Sequence, residues 1–354
     1  MALHFLHYGV RLRDALWLAY TPALLWTLYQ LRDVPFLSAV LCLLALGGSL
    51  ALGYELLGRI KLKDLQRRAV FISGCDSGFG RQLTLRCLEA GMPVFAGCLT
   101  QEGADYLNEH GAHFPGKLDS VIVNVADSES LHALVNNAGI AGNSFLDDLL
   151  DVEDYKKVAE VNTFGVVRLT HALKHLVKRT RGRIIVITST CARVGLMGLG
   201  PYTVSKFAVS GYCEVLRQEI RLFGVSVHIL EPGFFRTPII DKLNIDRQVE
   251  RVLEKATDAA KAEYGPEFFT NMRSQMDDMV ELTSQDPKAV VDAYFHAITS
   301  KFPKLRYNIG IDHHLMYLPM AYMPSGLRDV LTEATFKIKG LPRPAAMQRT
   351  KKSN

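Results

Sequence analysis

Tyr202 and Lys206 stand four residues apart in a segment whose apolar residues recur at helical spacing, so both side chains project from one face of a helix. A phenol ordinarily has a pKa of about 10, and a neighbouring ammonium group favours the phenolate and lowers that pKa. The pair could therefore supply a general base close to neutral pH. The alternative interpretation is an ordinary amphipathic helix that happens to contain both residues.

Ser189 precedes this helix and follows an apolar, β-branched run from Gly182 to Thr188. Such a run is typical of a strand that is buried on both faces. We expect Ser189 at the carboxyl end of that strand, the edge at which open α/β sheets bind ligands.

A glycine-rich turn follows another short apolar strand near residue 70, in the segment Gly74-Cys-Asp-Ser-Gly-Phe-Gly80. Glycines allow the backbone to approach a pyrophosphate closely, and the next helix offers its amino-terminal amides to the negative charge. A glycine pattern alone is weak evidence for a nucleotide site.

Together with Asn136-Asn-Ala-Gly139 and Asn162, these segments resemble the short-chain dehydrogenase/reductase family, over roughly residues 66 to 320. Within the family the chain is most similar to D-β-hydroxybutyrate dehydrogenases, microsomal retinol dehydrogenases and type 2 17β-hydroxysteroid dehydrogenases. The resemblance implies an α/β fold, a doubly wound parallel Rossmann sheet in a single catalytic domain, and an NAD(P)-dependent alcohol dehydrogenase of retinol, steroid or other lipid metabolism.

The family pattern also assigns roles to individual residues. It makes Asn162, Ser189, Tyr202 and Lys206 catalytic. It assigns cofactor binding to Gly74, Ser77, Gly78, Phe79, Gly80, Asn124, Asn137, Ala138, Gly139, Tyr202, Lys206, Pro232, Gly233 and Thr237.

The cofactor is expected to be NAD rather than NADP. The second strand ends Gly97-Cys-Leu-Thr100, without the acid typical of NAD enzymes or the Arg typical of NADP enzymes. The enzymes that the chain resembles share such an ending and mostly use NAD.

Two substrate classes remain open. Asn124, the spacing from Ser189 to Tyr202 and Pro201 favour a 3-hydroxybutyrate-type hydroxy acid, for which Arg193 is a candidate carboxylate partner. The apolar amino-terminal region instead favours a lipophilic secondary or allylic alcohol such as retinol or a hydroxysteroid, and this is the substrate we expect. A third possibility, from another functional class, is an inactive membrane-bound binding or scaffold protein.

The link between the third and fourth strands is unusually short. We predict the third strand at Val121 to Val125 and the fourth at Ala133 to Gly139, with eight residues between Asp127 and Asn136. The family has a full helix here, and a parallel crossover normally needs about a dozen residues or more. One crossover helix is therefore expected to be missing, either as genuine variation or through a skipped exon or faulty gene model.

The amino-terminal region contains two uncharged runs, Ala15 to Leu31 with 17 residues and Val34 to Tyr54 with 21. The second is long enough to span a membrane and the first is at the lower limit, which predicts a helical hairpin or one span plus an interfacial helix. A buried hairpin of a soluble protein is the alternative. Basic residues after the second run favour a cytosolic catalytic domain, on the endoplasmic reticulum or else on a mitochondrial membrane.

The remaining composition excludes several classes. A net charge of only +5 in 354 residues gives no support for nucleic-acid binding, and the six scattered cysteines have neither disulfide nor metal spacing. We expect no metal site, membrane lipid as a partner and a possible homo-oligomer. The predicted organisation is an anchor (1–63), a dehydrogenase domain (64–325) with a substrate lid at about 239–286, and a tail (326–354) that is basic and disordered beyond Gly340.

Overall fold

The computed structural model describes residues 12–30, 36–121, 131–281, 283–284 and 286–349. Its strands, in chain order, are β1 (Val70–Ser73), β2 (Val94–Gly97), β3 (Leu118–Val121), β4 (Ala133–Asn136), β5 (Arg183–Ile187), β6 (Ser226–Pro232) and β7 (Arg306–Ile309). They form one parallel sheet in the order β3-β2-β1-β4-β5-β6-β7. This is the doubly wound architecture that the sequence predicts.

The α-helices of the described residues are α1 (Leu12–Gln30), α2 (Phe36–Gly58), α3 (Gly78–Glu89), α4 (Gln101–Gly111), α5 (Val152–Ala159), α6 (Gly165–Arg179), α7 (Gly200–Ile220), α8 (Lys242–Lys255), α9 (Asp258–Tyr264), α10 (Pro266–Glu281), α11 (Lys288–Thr299), α12 (Leu318–Tyr322), α13 (Ser325–Ile338) and α14 (Ala345–Arg349). Two π-turns cover Glu160–Phe164 and His313–Tyr317. Short 3₁₀ turns lie at Leu65–Arg67, Asp147–Leu149, Thr190–Ala192, Arg221–Phe223 and Pro238–Ile240.

The central strands β4, β5 and β6 are buried along their whole length. Helices cover both faces, because Leu83 of α3 and Ile298 of α11 pack in one apolar cluster while Leu173 of α6 and Val209 of α7 pack in another. Burial on both faces explains why these strands are continuous apolar runs rather than alternating ones.

The register of the sheet brings four chain segments to one edge. Ile72 pairs with Val135 and Ile187 pairs with Leu230, and all these strands run parallel. The turns that follow β1, β4, β5 and β6 therefore leave the sheet side by side at its carboxyl edge.

Helices α8 and α10 build a separate layer over this edge. Val249, Phe268 and Met272 are buried with Phe145 and Leu149 in a third apolar cluster. This cluster packs α8 and α10 against the turn that contains Leu149. Met276 lines the large cavity described below.

Of the described helices, one is long and apolar enough to cross a membrane. The stretch Ser38–Gly58 of α2 has a mean hydropathy of 1.9, and none of its most apolar window is buried. This agrees with one predicted span and suggests association with a membrane, whereas α1 does not meet the same criterion. At the end of α2, the Gly58 carbonyl accepts a hydrogen bond from Ser300 Oγ at 2.7 Å.

The boundaries of β3 differ from the prediction. The strand begins at Leu118, three residues before the predicted start, because Leu118–Val121 pair with Val94–Gly97. Residues 122–130 lie outside the described residues, and no helix is present between β3 and β4 among the residues that are described. The absence of the crossover helix therefore stays a prediction.

The sheet face opposite α3 is sparsely covered at its β2-β3 edge. Val94 and Ala96 are buried in the cluster that contains Leu83 of α3, whereas Phe95, which points to the other face, is only half-buried. Asp119, the partner of Phe95 on β3, is exposed.

The carboxyl-terminal segment is more ordered than predicted. Helix α13 lies in the first half of the predicted tail, and residues 345–349 form α14, so the expectation of disorder beyond Gly340 is wrong for residues 345–349. Ala345 packs directly against Gly265 at the end of α9, and this contact gives the segment a place on the domain.

A helix restored at the short link should stabilise the protein. Inserting about 16 residues of amphipathic helix after Ser130 would cover apolar area near Phe95, and a few hundred Å² at about 25 cal/mol per Å² amounts to several kcal/mol. We expect the melting temperature and NAD affinity to rise together, as measured by thermal unfolding and calorimetry. A Gly/Ser insert of equal length is the control, and equal behaviour of all three proteins would contradict the prediction.

Candidate functional site

The turn between β1 and α3 depends on close backbone contacts. Gly74 and Gly78 have positive φ angles of 71° and 58°. A Cβ on Gly74 would lie 2.8 Å from the Ala138 Cα, and one on Gly80 would overlap the Gly74 carbonyl oxygen. Side chains are excluded at these positions, and the amino terminus of α3 faces the space above the turn.

Two polar residues hold this turn to the turn after β4. Ser73 Oγ accepts hydrogen bonds from the backbone amides of Asn137 and Ala138, each at 3.1 Å. The Asn137 side chain donates to the carbonyls of Ser73 and Gly74 and accepts a hydrogen bond from the Tyr294 hydroxyl. The predicted cofactor residue Asn137 therefore lines the cavity, but its amide group is engaged in positioning the glycine turn.

Asn162 lies in the π-turn between α5 and α6. Its side chain is 1% exposed. It accepts from the Ile140 amide at 2.8 Å and donates to the Ile140 carbonyl and to Ser205 Oγ. The residue thereby connects the turn after β4 to helix α7.

Tyr202 and Lys206 lie on one face of α7, as predicted. Lys206 Nζ is 5.4 Å from the centroid of the Tyr202 ring and donates to the Ile187 carbonyl at the end of β5. A Cβ on Gly139 would lie 3.6 Å from Nζ. Ser189 caps the short turn after β5 by accepting from the Cys191 amide, and its hydroxyl lies beside the phenol of Tyr202.

The protonation of this pair differs from the expectation. Burial raises the pKa of the Tyr202 phenol above its usual value, although the hydrogen bond with Ser189 acts in the opposite direction. Burial also lowers the pKa of Lys206 to about 8. The prediction that Lys206 lowers the phenol pKa is therefore wrong, because the loss of solvent is the largest influence on this group.

The turn after β6 is held from the carboxyl-terminal side of the sheet. The Gly233 amide donates to the Ile309 carbonyl, and the Phe234 amide donates to Asp312 Oδ2, both at 2.7 Å. A Cβ on Gly233 would overlap both carboxylate oxygens of Asp312. The predicted cofactor residues Pro232 and Gly233 therefore depend on an acid nearly 80 positions away in the chain.

His313 supports the neighbouring turn. It is fully buried, and its Nδ1 lies 3.1 Å from the Thr190 hydroxyl, directly after Ser189. Burial lowers the pKa of His313 to about 4, so the imidazole is neutral at physiological pH.

A buried ion-pair network closes the same side of the site. Glu231 is fully buried and accepts from Arg193 Nε at 3.0 and 3.1 Å. Arg306 bridges Glu231 and Glu214. Arg193, the candidate carboxylate partner of a hydroxy acid, is thus already paired with an enclosed carboxylate.

These parts surround one cavity of about 580 Å³. Its walls include or adjoin every predicted site residue except two. The Asn162 side chain is instead hydrogen-bonded to Ile140 and Ser205, and Asn124 lies outside the described residues. The cavity walls contain Gly74, Ser77, Gly78, Phe79, Asn137, Ala138, Gly139, Ser189, Tyr202, Lys206, Pro232, Gly233 and Thr237, and Gly80 supports the turn behind them. Lys206 is the only Lys or Arg among the described residues of the lining.

Sequence patterns missed Ser73, Asp76, Ser205, Glu231, Asp312 and His313. Ser73 and Asp76 stand within or beside the glycine turn, where their types could have suggested a polar support. Asp312 and His313 gave no usable signal, because they meet the site only through the β6-β7 pairing. Within the part of the chain described, no group of His, Cys, Asp or Glu could hold a metal ion.

Sequence comparison identifies relatives along most of the chain. The family model described as short chain dehydrogenase matches residues 68–248. Retinol dehydrogenase 7 of Rattus norvegicus is 36% identical over 286 residues, which cover 76% of this chain and 89% of that protein. The 17-beta-hydroxysteroid dehydrogenase type 6 of Mus musculus is 36% identical over 302 residues, covering 80% and 93%.

Structural comparison shows the same fold. A short chain dehydrogenase/reductase from Burkholderia phymatum, crystallised in complex with NAD, superposes with a TM-score of 0.57 at 18% identity. The match covers 76% of this chain and 97% of that one.

Gly233→Ala should impair cofactor binding, because the new Cβ displaces Asp312 and the turn after β6. We expect at least a tenfold weaker NAD affinity, measured by calorimetry. Gly326→Ala is the matched control, since a Cβ there meets nothing within 4 Å. Equal NAD affinity of the two variants would show that the Asp312 contact does not position the turn.

Proposed function

The chain belongs to the short-chain dehydrogenase family, and from this premise we propose that it is an oxidoreductase that uses NAD to oxidise a lipophilic secondary or allylic alcohol, such as retinol or a hydroxysteroid. The main support is the single cavity that joins the glycine turn to Tyr202 and Lys206. Beyond these residues its walls are largely apolar, with Leu199, Phe234 and Met279 among them.

The four catalytic residues have distinct proposed roles. Tyr202 takes the hydroxyl proton of the substrate, and Ser189, whose hydroxyl lies beside the phenol, holds the substrate oxygen. Lys206 binds the nicotinamide ribose and supports the phenolate. Asn162 completes the proton relay from a position fixed by Ile140 and Ser205.

The residues at the edge of the sheet fit a dinucleotide. Gly74 and Gly80 have no room for a side chain, which leaves their backbone open to a pyrophosphate above α3. Pro232, Gly233 and Thr237 line the other end of the cavity, where the carboxamide would bind. When bound, NAD supplies the hydride acceptor.

Asp76 supports NAD over NADP. Its carboxylate accepts hydrogen bonds from the Leu99 and Thr100 amides at the end of β2, at 2.8 to 3.0 Å. Although burial alone would raise the pKa of Asp76, these hydrogen bonds lower it, so the group is ionised. A ribose phosphate placed there would face a negative charge, and Lys206 at the catalytic end is the only Lys or Arg in the described cavity wall.

The hydroxy-acid alternative lacks a free cation. Binding a small carboxylate by Arg193 would compete with Glu231, and a buried carboxylate that loses a partner is strongly destabilised. The apolar walls around Tyr202 also favour a lipophilic alcohol over a small carboxylate.

Several broader assignments belong to this proposal. Helix α2 anchors the chain in a membrane, with the basic residues Arg59, Lys61 and Lys63 after it on the cytosolic side of the endoplasmic reticulum. Membrane lipid is then a partner, and residues 239–286 act as the substrate lid. A homo-oligomer and a mitochondrial membrane remain alternatives for experiment.

Tyr202→Phe should abolish NADH formation with every accepted alcohol, because the variant lacks the proton acceptor. We would assay wild-type and variant membranes with retinol, estradiol, an androgen and 3-hydroxybutyrate. Retention of a tenth of wild-type turnover would refute the role of Tyr202. A wild-type preference above tenfold for 3-hydroxybutyrate would refute the substrate class, and NAD binding without any turnover would favour the scaffold function.

Leu99→Arg should shift the cofactor preference towards NADP. Leu99 is 88% exposed at the end of β2, where a guanidinium could pair with a ribose phosphate. We expect the ratio of NADP to NAD affinity to rise at least tenfold, as measured by fluorescence titration. Leu222→Arg, at a site 82% exposed and away from the cavity, is the control, and an equal ratio in both variants would argue against this cofactor position.

A further inference from the structure

A second cavity of about 340 Å³ lies beside the large one. The two cavities share five wall residues: Ile140, Ala141, Pro238, Ile239 and Gln248. These follow Gly139 and Thr237 in the chain, so the second cavity adjoins the substrate side of the site.

The second cavity, here named the basic annex, is lined by Lys157 of α5 and by Arg247 and Arg251 of α8. No Asp or Glu lines it among the described residues. None of the three cations forms an ion pair within the part of the chain that the structure describes. Most other cations near the site are paired, as Arg193 is with Glu231 and Lys242 is with Asp277.

Two of the three cations lie exposed on α8, which also carries Glu250 and Glu254. Arg247 and Arg251 are four residues apart and therefore lie on one face of the helix, where like charges repel. A bound anion would remove this repulsion, and a guanidinium pair suits the flat or tetrahedral oxygens of a carboxylate or sulfate.

We propose that the basic annex binds the anionic end of an amphipathic alcohol whose hydroxyl group reaches Tyr202 in the large cavity. The substrate class is thus a lipophilic alcohol with a carboxylate or sulfate remote from the reacting carbon. This inference rests on the proposed function, which supplies the reacting hydroxyl.

Cofactor phosphates are a poor match for the annex. The glycine turn with Gly74, Ser77 and Gly78 lines only the large cavity. The charge of the annex therefore serves a ligand other than the pyrophosphate, and the shared wall leads from it towards Tyr202.

The test compares a dihydroxysteroid with its monosulfate ester, which keeps the reacting hydroxyl. For the wild type we expect about a tenfold lower KM for the monosulfate at low salt, and a smaller difference at high salt because the attraction is screened. The double variant Arg247→Gln/Arg251→Gln should lose this preference, so that its KM values for the monosulfate and the neutral parent become similar. The double variant Arg247→Lys/Arg251→Lys should keep most of the preference for the monosulfate.

The double variant Arg328→Gln/Arg343→Gln removes the same net charge away from the annex and should keep the preference. Equal KM values for the two substrates in the wild type would overturn the inference, while turnover of the neutral parent would still support the proposed function. Loss of the preference in this control would also overturn it, since long-range attraction alone would then explain the effect.

Calorimetric binding of the monosulfate separates the two proposals if neither compound is oxidised. Loss of this binding in the Arg247→Gln/Arg251→Gln variant would support the annex even though the proposed function fails. Unchanged binding in that variant would overturn the annex proposal. Vesicles containing phosphatidylserine provide a further test. If they cancel the preference and inorganic sulfate does not, the annex binds a lipid headgroup, which would contradict the substrate role.

Discussion

The parallel hydrogen-bond ladder through β1, β4, β5 and β6 is the constraint on which the site depends. Parallel pairing forces every strand to end at the same edge, so turns far apart in sequence meet without any specific attraction between them. The ladder sets their positions only approximately. Side-chain contacts among the turns supply the final alignment, with Ser73 joining the first two and Asn162 joining the second to α7.

On the other side of the site, a buried charge also aligns the turns. Glu231 has no contact with solvent, and such a carboxylate is tolerated only with good ion pairs. Its partners come from the turn after Ser189 and from β7, so a single group ties three elements together. Asp312 acts similarly on the turn after β6. Catalytic geometry in this oxidoreductase therefore depends on acids that touch no reactant.

The sequence was sufficient for features that arise locally. Buried strands have apolar runs, the glycine turn needs positive φ angles, and helical spacing places Tyr202 above Lys206. Other features depend on tertiary contacts: the role of His313 requires the packing of the last helices against Thr190. The direction of the Tyr202 pKa shift also could not be predicted, because spacing gives the distance to an ammonium but not the extent of burial. Likewise, Arg193 looked free in sequence because Glu231 lies 38 positions away.

The π-turn at Glu160–Phe164 has a consequence for the two halves of the helix around it. A turn of this kind contains one residue more than an α-turn, and each residue advances a helix by about 100°. In a regular α-helix of this sequence, the face that α5 buries through Asp154 and Val158 would therefore be out of phase with the face that α6 buries through Val166 and Leu173. If the same residues formed a regular α-helix without the wider turn, the apolar stripe of α6 would be rotated by about 100° relative to the buried face of α5. This extra residue therefore reconciles two angular demands that an uninterrupted α-helix could not meet together.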